Sequence, residues 1–265
     1  ELEQAKLTIS SAAPVMEGRI AIVTGAASGI GKATVAALLQ QGACVVALDI
    51  NPAITTLFNS DNVLGIVCDV TDRQQLKKSV QQTVMHFGGL DMLVCNAGLF
   101  PESSAIESLS DELLQKSLSL NFVSHVHLLQ ESIPYLERGF DASVVIVASK
   151  NVPAPGPGAM AYSSAKAALT QMARVAALEW GVKGIRINVV HPNAVFDTAL
   201  WDEKILQARA SAYGLSVDDY KVNNVLGKEV TSAQVASVIA SLCSPVFACT
   251  TGAQIPVDGG NERVI

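Results

Sequence analysis

Three residues near the middle of the chain have types and spacing suited to proton transfer. Tyr162 stands four residues before Lys166, and Ser149 stands thirteen residues before Tyr162. Residues four apart on a helix share a face, so we expect the Lys166 ammonium to lie beside the Tyr162 phenol. A nearby cation favours the phenolate and lowers the phenol pKa, which would make Tyr162 a base for an alcohol or an acid for a carbonyl. Because Ser149 follows a strand-like run, its hydroxyl is expected to reach the same substrate oxygen.

A glycine-rich stretch, VTGAASGIGKA, follows the first strand-like run and opens a helix pattern. Gly25 permits a tight turn, and Gly29 and Gly31 would let the backbone approach a pyrophosphate at the helix N-terminus, where free N–H groups attract anions. The G-x-x-x-G-x-G spacing differs from the ordinary G-x-G-x-x-G fingerprint. Ala33 follows Lys32 where a Walker loop needs Ser or Thr, so that reading is excluded. A glycine-rich loop without a ligand is the alternative.

Asp49 ends the second strand-like run, eighteen residues after Gly31. A carboxylate at this place accepts hydrogen bonds from the adenosine ribose hydroxyls and repels a 2′-phosphate. Ser28 and Ile50 flank the same site without positive charge, and no Arg stands next to Asp49. The sequence therefore predicts NAD rather than NADP as the cofactor, with a solvated turn aspartate as the alternative.

These residues need a scaffold, and the chain supplies short apolar runs that alternate with amphipathic helical patterns. The runs cover 19–25, 43–50, 62–70, 91–98, 142–149, 185–192 and 253–260, and the helical patterns lie near 30–41, 72–87, 109–137, 161–181 and 231–243. Continuous hydrophobicity indicates strands buried on both faces, as in a parallel sheet covered by helices. We therefore predict an α/β protein: a single-domain, Rossmann-like, doubly wound parallel sheet with helices on both faces.

Two regions interrupt the alternation. Residues 1–17 are predicted to be a leader or linker that precedes an NAD-binding domain at 18–265. Residues 193–230 lack a strand pattern and carry the bulky side chains Trp201 and Tyr213. Long excursions after the C-terminal end of a strand often cover the substrate in this fold class, so 193–230 is the predicted substrate-covering segment.

Composition excludes several classes of partner. The 265 residues are 49% hydrophobic and carry a net charge of −6, whereas nucleic-acid binding needs a basic surface. The apolar runs are too short to span a bilayer, and no signal peptide opens the chain, so no membrane is expected. Five widely spaced cysteines fit buried thiols in a reducing cytosol, which predicts a cytoplasmic location. The four histidines show no metal-ligand grouping, so no metal is predicted.

The glycine stretch, Asp49, Ser149, Tyr162 and Lys166, in this order and spacing, resemble the short-chain dehydrogenase/reductase family in its classical form. The resemblance covers about 18–260. TGAASGIG matches the cofactor loop of the family, DV after the third run its adenine contact, CNAG the motif that steadies the sheet beside the cofactor, and PVDGG its C-terminal strand.

The resemblance also implies roles for individual residues. Tyr162 would be the acid and base, Ser149 would orient the substrate, Lys166 would also hold the nicotinamide ribose, and Asn121 would anchor a proton-relay water. The predicted catalytic set is therefore Asn121, Ser149, Tyr162 and Lys166. The predicted cofactor-binding residues are Gly25, Ser28, Gly29, Ile30, Gly31, Asp49, Ile50, Asp69, Val70, Asn96, Ala97, Gly98, Tyr162, Lys166, Pro192, Asn193 and Val195.

One stretch departs from the family pattern. Where the family commonly has Pro-Gly followed by a Thr that meets the nicotinamide carboxamide, this chain reads HPNAVFDTAL. Asn193 replaces the Gly, and Asp197 falls where the Thr is expected, with Thr198 one residue later. The sequence leaves open which group meets the carboxamide.

The same departure gives a narrower resemblance. With ELEQAKL, ASKNVPAPGPGAMAYSSAKAA and IPVDGGN, it resembles the C-terminal dehydrogenase half of fused class II aldolase/short-chain dehydrogenase proteins, of the rhamnulose-phosphate aldolase/lactaldehyde dehydrogenase type. The chain begins at Glu rather than Met, which fits part of a longer chain with an N-terminal aldolase domain.

The predicted function is NAD-dependent hydride transfer to or from a small hydroxylated alcohol or carbonyl, such as a polyol, a sugar or lactaldehyde. The polar Lys150 and Asn151 and the bulky Trp201 are the predicted substrate contacts, because a long apolar substrate would need a mostly apolar slot. A non-catalytic NAD sensor or scaffold on the same fold is the alternative, and the complete Ser, Tyr and Lys set disfavours it. An epimerase or dehydratase of the extended type would need a larger C-terminal domain.

The long helical patterns also predict an assembly. Segment 113–136 is apolar around most of its circumference, and segment 161–179 is rich in Ala. One face of each can cover the sheet, and the other would stay exposed unless a partner buries it. Family members pair through these two helices, so the resemblance implies a homotetramer or a homodimer.

Overall fold

The computed structural model describes residues 15–198, 201 and 203–261. Its centre is a seven-stranded sheet in which all paired neighbours run parallel. Residues 1–14 of the predicted leader lie outside the described residues, so that boundary stays a prediction. The strands are β1 (Ile20–Thr24), β2 (Cys44–Asp49), β3 (Val63–Val67), β4 (Met92–Cys95), β5 (Ser143–Val147), β6 (Arg186–Pro192) and β7 (Gln254–Val257).

The order of the strands across the sheet is β3-β2-β1-β4-β5-β6-β7. The chain moves outward from β1 to β3 and then starts again with β4 on the other side of β1. The direction of winding therefore reverses between β1 and β4, which leaves a crevice beyond their C-terminal ends where ligands bind in this fold class. The glycine-rich stretch follows β1 and the CNAG stretch follows β4, so both lie at this crevice.

Helices cover both faces of the sheet. In the described part of the chain they are α1 (Gly29–Gln40), α2 (Arg73–Phe87), α3 (Asp111–Leu118), α4 (Ser124–Leu136), α5 (Met160–Trp180), α6 (Glu203–Ala212), α7 (Val217–Lys221) and α8 (Ser232–Cys243). One face packs against α1 and α8, and the other packs against α2, α4 and α5. The predicted doubly wound sheet is confirmed. None of the helices described here has the length and apolar character needed to cross a bilayer.

The central strands are apolar because both of their faces are covered. Every residue of β1, β4 and β5 is buried. Within β1, Ala21 and Val23 face α1 and α8, whereas Ile22 faces the other helix layer. Since successive side chains of a strand point to opposite faces, two covered faces require an unbroken apolar run.

The long helical pattern predicted over 109–137 is interrupted in the structure. It divides into α3, a π turn (Ser119–Val123) and α4. A π turn widens one turn of the helix and shifts the side chains that follow, and such turns are frequent at functional sites. Asn121 lies in this turn and is fully buried.

The predicted covering segment at 193–230 contains α6, α7 and an aromatic cluster of Phe196, Trp201, Tyr213 and Tyr220. The ring centroids of Phe196 and Trp201 lie 4.8 Å apart, and those of Tyr213 and Tyr220 lie 5.6 Å apart. The four rings therefore pack against one another at the surface of this segment.

Candidate active site

Ser149, Tyr162 and Lys166 meet at the C-terminal edge of the sheet. Ser149 follows β5, and the other two lie in the first two turns of α5. The buried Lys166 donates from Nζ to the backbone oxygen of Val147 at 2.9 Å, and this nitrogen lies 5.8 Å from the centre of the Tyr162 ring. The Ser149 hydroxyl accepts the Asn151 backbone N–H at 3.1 Å and lies near enough to the Tyr162 phenol to influence its pKa. The structure thus brings together three residues that the sequence singled out.

The pKa of Tyr162 differs from the expectation. Burial raises it, because the phenolate loses hydration, and the hydrogen bond with Ser149 opposes the shift. Burial also lowers the pKa of Lys166 to about 8, with Cys95 acting in the opposite direction. The expected lowering of the phenol pKa is wrong for this structure, because burial raises the pKa of Tyr162 and Ser149, rather than Lys166, is the group that opposes this shift.

Asn121 holds the backbone next to this set. Its Nδ2 donates to the Leu99 carbonyl at 2.9 Å, and its Oδ1 accepts the Leu99 N–H at 3.0 Å. A Cβ on Gly98 would lie 2.9 Å from Asn121 Oδ1 and 3.4 Å from Lys166 Nζ, so only glycine fits between them. Asn121 therefore fixes the turn after β4, and its part in a proton relay stays a prediction.

The glycine-rich stretch forms the predicted tight turn into α1. Gly25 has a φ of +64°, which favours glycine, and a Cβ there would lie 2.9 Å from Asn96 Nδ2. A Cβ on Gly31 would lie 2.0 Å from the Gly25 oxygen. Ser28 is the N-cap residue of α1 and makes no side-chain cap hydrogen bond. The first N–H groups of α1 therefore have no side-chain cap, and free N–H groups at a helix N-terminus can bind an anion.

Thr24 joins the turns that follow β1 and β4. Its hydroxyl oxygen accepts the N–H of Asn96 at 2.9 Å and that of Ala97 at 3.0 Å. In return, Asn96 Nδ2 donates to the Thr24 backbone oxygen at 2.8 Å. Thr24 was not among the predicted site residues. The feature of the sequence that could have identified it is a hydroxyl residue at the last position of a buried strand, directly before the glycine turn.

Asp49 ties the end of β2 to the glycine stretch. Its Oδ2 accepts the Ala27 N–H and its Oδ1 accepts the Asn51 N–H, both at 2.9 Å. Each carboxylate oxygen has a second lone pair, so Asp49 keeps capacity to accept further hydrogen bonds. Ile50, beside it, is exposed.

The remaining residues of the predicted cofactor site lie at the same edge. Asp69 and Val70 come two and three residues after β3, whose last residue pairs with Asp49 in the sheet. The Asp69 carboxylate accepts the N–H and the hydroxyl of Thr71, and Val70 is buried. Ile30 packs partly against the core beneath α1.

The end of β6 carries three more residues of the predicted cofactor site. Pro192 is the last residue of the strand, and Asn193 and Val195 come shortly after it. The Pro192 oxygen accepts the Lys150 N–H at 3.0 Å, and the Asn193 N–H donates to the Val257 oxygen at 3.1 Å. Val195 is buried.

Comparison with known proteins places the chain among oxidoreductases. The family model described as Enoyl-(Acyl carrier protein) reductase matches residues 25–262. The human protein dehydrogenase/reductase SDR family member 2, mitochondrial, is 31% identical over 94% of this chain and 89% of its own length. This chain belongs to the classical short-chain dehydrogenase/reductase family. Proteins of this family are oxidoreductases that use a nicotinamide cofactor, and the same class of activity applies to this short-chain dehydrogenase.

Other relatives of this short-chain dehydrogenase differ in length. The 3-oxoacyl-[acyl-carrier-protein] reductase FabG of Thermotoga maritima is 31% identical over 92% of this chain and 98% of its own length. The uncharacterized oxidoreductase YuxG of Bacillus subtilis is also 31% identical, over 98% of this chain, but the chain spans only 40% of YuxG. The solved structure of ligand-free aldohexose dehydrogenase from Thermoplasma acidophilum gives a TM-score of 0.84 at 26% identity, covering 96% and 98% of the two chains.

The residues of this short-chain dehydrogenase fit a dinucleotide. Cβ atoms on Gly25 and Gly31 would fill the turn, α1 begins without a side-chain cap, and Asp49 stands at the end of the neighbouring strand. The glycine stretch would hold the pyrophosphate, and Asp49 the adenosine ribose.

The structure separates the roles of Asp197 and Thr198, where the family pattern is lost. The Asp197 carboxylate accepts the N–H of Ser232 at 3.0 Å and its hydroxyl at 2.9 Å, so it binds the N-terminus of α8. Thr198 Cγ2 lies 2.9 Å from the place that a Cβ on Gly29 would take. Thr198, rather than Asp197, is therefore the member of the pair beside the glycine stretch.

The predicted substrate contacts divide into two groups. Lys150 and Asn151 directly follow Ser149, and the Asn151 N–H is bonded to the Ser149 hydroxyl. Burial lowers the pKa of Lys150, and Asp258 acts in the opposite direction. Trp201 belongs to the aromatic cluster of the covering segment.

Phe100 is a site residue that the sequence analysis missed. Its ring centroid lies 4.8 Å from that of Tyr162, with the two planes inclined by 46°. The Phe100 ring therefore covers the Tyr162 phenol on one side. The feature of the sequence that could have identified it is an aromatic residue two positions after CNAG.

Within the residues that the structure describes, no group of three His, Cys, Asp or Glu could hold a metal ion.

Proposed function

We propose that this chain transfers a hydride between NAD and a small hydroxylated alcohol or the matching carbonyl, with Tyr162 as acid and base. The observation that carries the proposal is the meeting of Ser149, Tyr162 and Lys166 beside a turn that only glycine can form. A non-catalytic NAD-binding protein would have no need for a phenol bonded to a serine hydroxyl next to a buried ammonium.

The proposed chemistry assigns one task to each side chain. When bound, the nicotinamide accepts or supplies the hydride. In reduction, the Tyr162 phenol gives its proton to the carbonyl oxygen, and in oxidation the phenolate takes the proton of the alcohol. The Ser149 hydroxyl accepts from the Asn151 N–H, which leaves its own proton for the substrate oxygen or for Tyr162. Lys166 keeps a cation near the developing phenolate.

We propose NAD rather than NADP as the cofactor. The Asp49 carboxylate would accept from the ribose hydroxyls and repel a 2′-phosphate. Its two oxygens are already held by the Ala27 and Asn51 N–H groups, so the negative charge is fixed in place at the end of β2.

For the substrate, we propose a polyol, a sugar or a lactaldehyde-like compound. Lys150 and Asn151 supply polar groups next to Ser149, whereas Phe100 and the aromatic cluster supply flat ring surfaces on which a small sugar or polyol could pack. The similarity to an aldohexose dehydrogenase agrees with this class.

The test is a panel of substrates followed by the absorbance of the reduced coenzyme. Lactaldehyde, propanediol, aldohexoses and sugar alcohols are compared with long-chain alcohols and a steroid, each with the oxidised and the reduced forms of NAD and NADP, so that alcohols can be oxidised and carbonyls reduced. We expect turnover of the hydroxylated set with NAD. Preference for the apolar set would contradict the substrate class, and turnover of none, in protein that binds NADH, would favour the non-catalytic alternative.

We also propose that the protein works in the cytoplasm as a homotetramer, or a homodimer, formed through its long helices. Val175, Leu178 and Val182 are 44%, 81% and 90% exposed along one line of α5 and its end, which leaves an apolar strip for a second copy. Sedimentation at micromolar concentration tests this, and a monomer would contradict it.

An N-terminal aldolase domain in a longer chain is a further proposal. It is supported by the narrower sequence resemblance and by the length of YuxG beyond the matched part. The size of the native protein on an immunoblot, and its location after cell fractionation, test both this proposal and the cytoplasmic one.

A further inference from the structure

His191 bridges two neighbouring strands next to the proposed catalytic serine. It lies near the end of β6, and its ring is only 6% exposed. Nδ1 lies 2.9 Å from the backbone oxygen of Ser149, and Nε2 lies 2.6 Å from Oε1 of Gln254 on β7. The ring therefore connects the backbone just after β5 with the first residue of β7, across β6.

The chemistry of the two contacts decides which nitrogen carries the proton. A backbone carbonyl only accepts, so Nδ1 must donate to Ser149. Nε2 then either donates to Oε1 of Gln254 or accepts from the amide group of the same side chain. Gln254 can pair with the ring in either state, so the Ser149 carbonyl, and not Gln254, decides that Nδ1 carries a proton.

Ser149 is held by several bonds of the backbone around it. Its carbonyl also accepts the Val152 N–H at 3.0 Å, and its hydroxyl accepts the Asn151 N–H at 3.1 Å. The carbonyl therefore keeps one partner even without His191. The N–H of the same peptide, on Lys150, donates to the Pro192 oxygen at 3.0 Å. What His191 adds is a buried side-chain bond to the Ser149 carbonyl, next to the Cα atom that carries the hydroxyl side chain.

We propose that His191, held by Gln254, is a positioning residue that keeps the Ser149 hydroxyl in hydrogen-bonding reach of Tyr162. This inference rests on the proposed function, in which Ser149 and Tyr162 act on the substrate oxygen. It assigns His191 no contact with the substrate, so its whole effect must pass through Ser149.

Two replacements of His191 separate its two bonds. The amide nitrogen of His191→Asn can stand near the place of Nδ1 and keep a donor to Ser149, whereas that of His191→Gln reaches toward the place of Nε2 and loses this donor. His86→Gln, on an exposed position of α2, is the matched control. Each variant is made in the wild-type protein and in Ser149→Ala.

We expect His191→Gln to lower kcat by about 10- to 100-fold, the scale of a misplaced catalytic group, with NADH binding unchanged. His191→Asn should recover most of this loss, and His86→Gln should have no effect. In the Ser149→Ala background, His191→Gln should cost nothing more, because residues that act as a unit are not additive. An equal loss in both backgrounds, or unchanged turnover in His191→Gln, would overturn the proposal.

A second readout does not depend on turnover. The ionisation of Tyr162 is followed by ultraviolet difference spectra, with Tyr162→Phe used to identify its share of the signal. Because the Ser149 bond lowers the phenol pKa, His191→Gln should move this ionisation to higher pH, as Ser149→Ala does, and His191→Asn should not. No shift in His191→Gln refutes the positioning role even if no substrate is found. If His191→Gln does not fold, Gln254→Ala, at an exposed position of β7, should give a smaller shift in the same direction.

Discussion

Lys166 and Tyr162 lie one helical turn apart, with the ammonium nitrogen of Lys166 5.8 Å from the centre of the Tyr162 ring. The ammonium is bonded to a backbone carbonyl of β5, and it is Ser149 that opposes the upward pKa shift caused by burial. Because the pKa of Tyr162 is raised, the phenol is protonated at neutral pH. The phenol is the form that the proposed carbonyl reduction needs, whereas the proposed alcohol oxidation needs the phenolate.

Replacing Tyr162 by Phe removes the proton donor and keeps the ring that packs on Phe100. We expect turnover to fall by at least about 100-fold, with NADH binding close to that of the wild type. Initial rates and NADH fluorescence titration measure the two effects. Tyr135→Phe, on α4, is the control and should change neither. Near-normal turnover of Tyr162→Phe would remove this residue from its proposed role.

Replacing Ser149 by Ala should change the pH dependence of both directions. The Ser149 bond lowers the Tyr162 pKa, so its loss raises this pKa further. Alcohol oxidation needs the phenolate and should begin at higher pH, whereas carbonyl reduction needs the phenol and should persist to higher pH. Profiles of kcat against pH in the two directions test this. Identical midpoints in Ser149→Ala and wild type would show that Ser149 does not tune the phenol.

Replacing Asp49 by Asn should narrow the preference for NAD over NADP by about 1–3 kcal/mol, the scale of a charge-assisted hydrogen bond. The neutral amide no longer repels a 2′-phosphate. Kd values for NADH and NADPH from fluorescence titration give the ratio. Asp69→Asn is the control, because the adenine it is proposed to contact is common to both coenzymes, so both should weaken equally. A constant ratio in Asp49→Asn would show that Asp49 does not read the ribose.

Replacing Gly31 by Ala places a Cβ 2.0 Å from the Gly25 oxygen, so the turn must open. We expect a loss of about 1–3 kcal/mol in the free energy of unfolding and a clear loss of NADH affinity. Gly181→Ala is the matched control, since no atom lies within 4 Å of the added Cβ there. Urea unfolding and NADH titration of the two variants test this. Equal behaviour of the two would mean that the close contact at Gly31 relaxes without consequence.

His125 should make the fold sensitive to acid. Burial, with Lys166 as the second cause, lowers its pKa from 6.5 to about 3, and a hydrogen bond to the Ala97 backbone acts in the opposite direction. As the pH falls below 6.5, His125 binds a proton in the unfolded chain but stays neutral in the folded chain. His125 therefore contributes to the free energy of unfolding above pH 6.5, and this contribution is lost progressively between pH 6.5 and about 3. It amounts to about 1.4 kcal/mol for each unit by which the pKa values of the unfolded and folded chain differ.

His125→Asn removes this titration and keeps a short amide side chain at the same place. We expect its unfolding free energy in urea to fall less steeply than that of the wild type between pH 6.5 and 4. His86→Asn, on the exposed surface of α2, should leave the slope unchanged. A wild-type slope in His125→Asn would show that other groups cause the acid sensitivity.

The sequence by itself determined the parallel sheet and that Tyr162 and Lys166 share one side of a helix. Unbroken apolar runs occur only where both faces of a strand are buried, and the four-residue spacing of Tyr162 and Lys166 places them on one side of a helix whatever surrounds it. The roles of Gly25 and Gly31 could also be predicted from the sequence, because a turn this tight permits no side chain. The apolar runs and the four-residue spacing are local features, whereas the lack of space at Gly25 also depends on Asn96, which directly follows β4.

Only the tertiary structure decided the features that depend on residues far apart in the chain. Asp197 and Thr198 are neighbours in sequence, but Asp197 binds the N-terminus of α8 and Thr198 lies against Gly29. The direction of the Tyr162 pKa shift follows from burial and from Ser149, neither of which the four-residue spacing to Lys166 contains. Hydrogen bonds and burial of this kind arise when separate strands and helices pack together, and that packing is a property of the whole fold rather than of any one stretch.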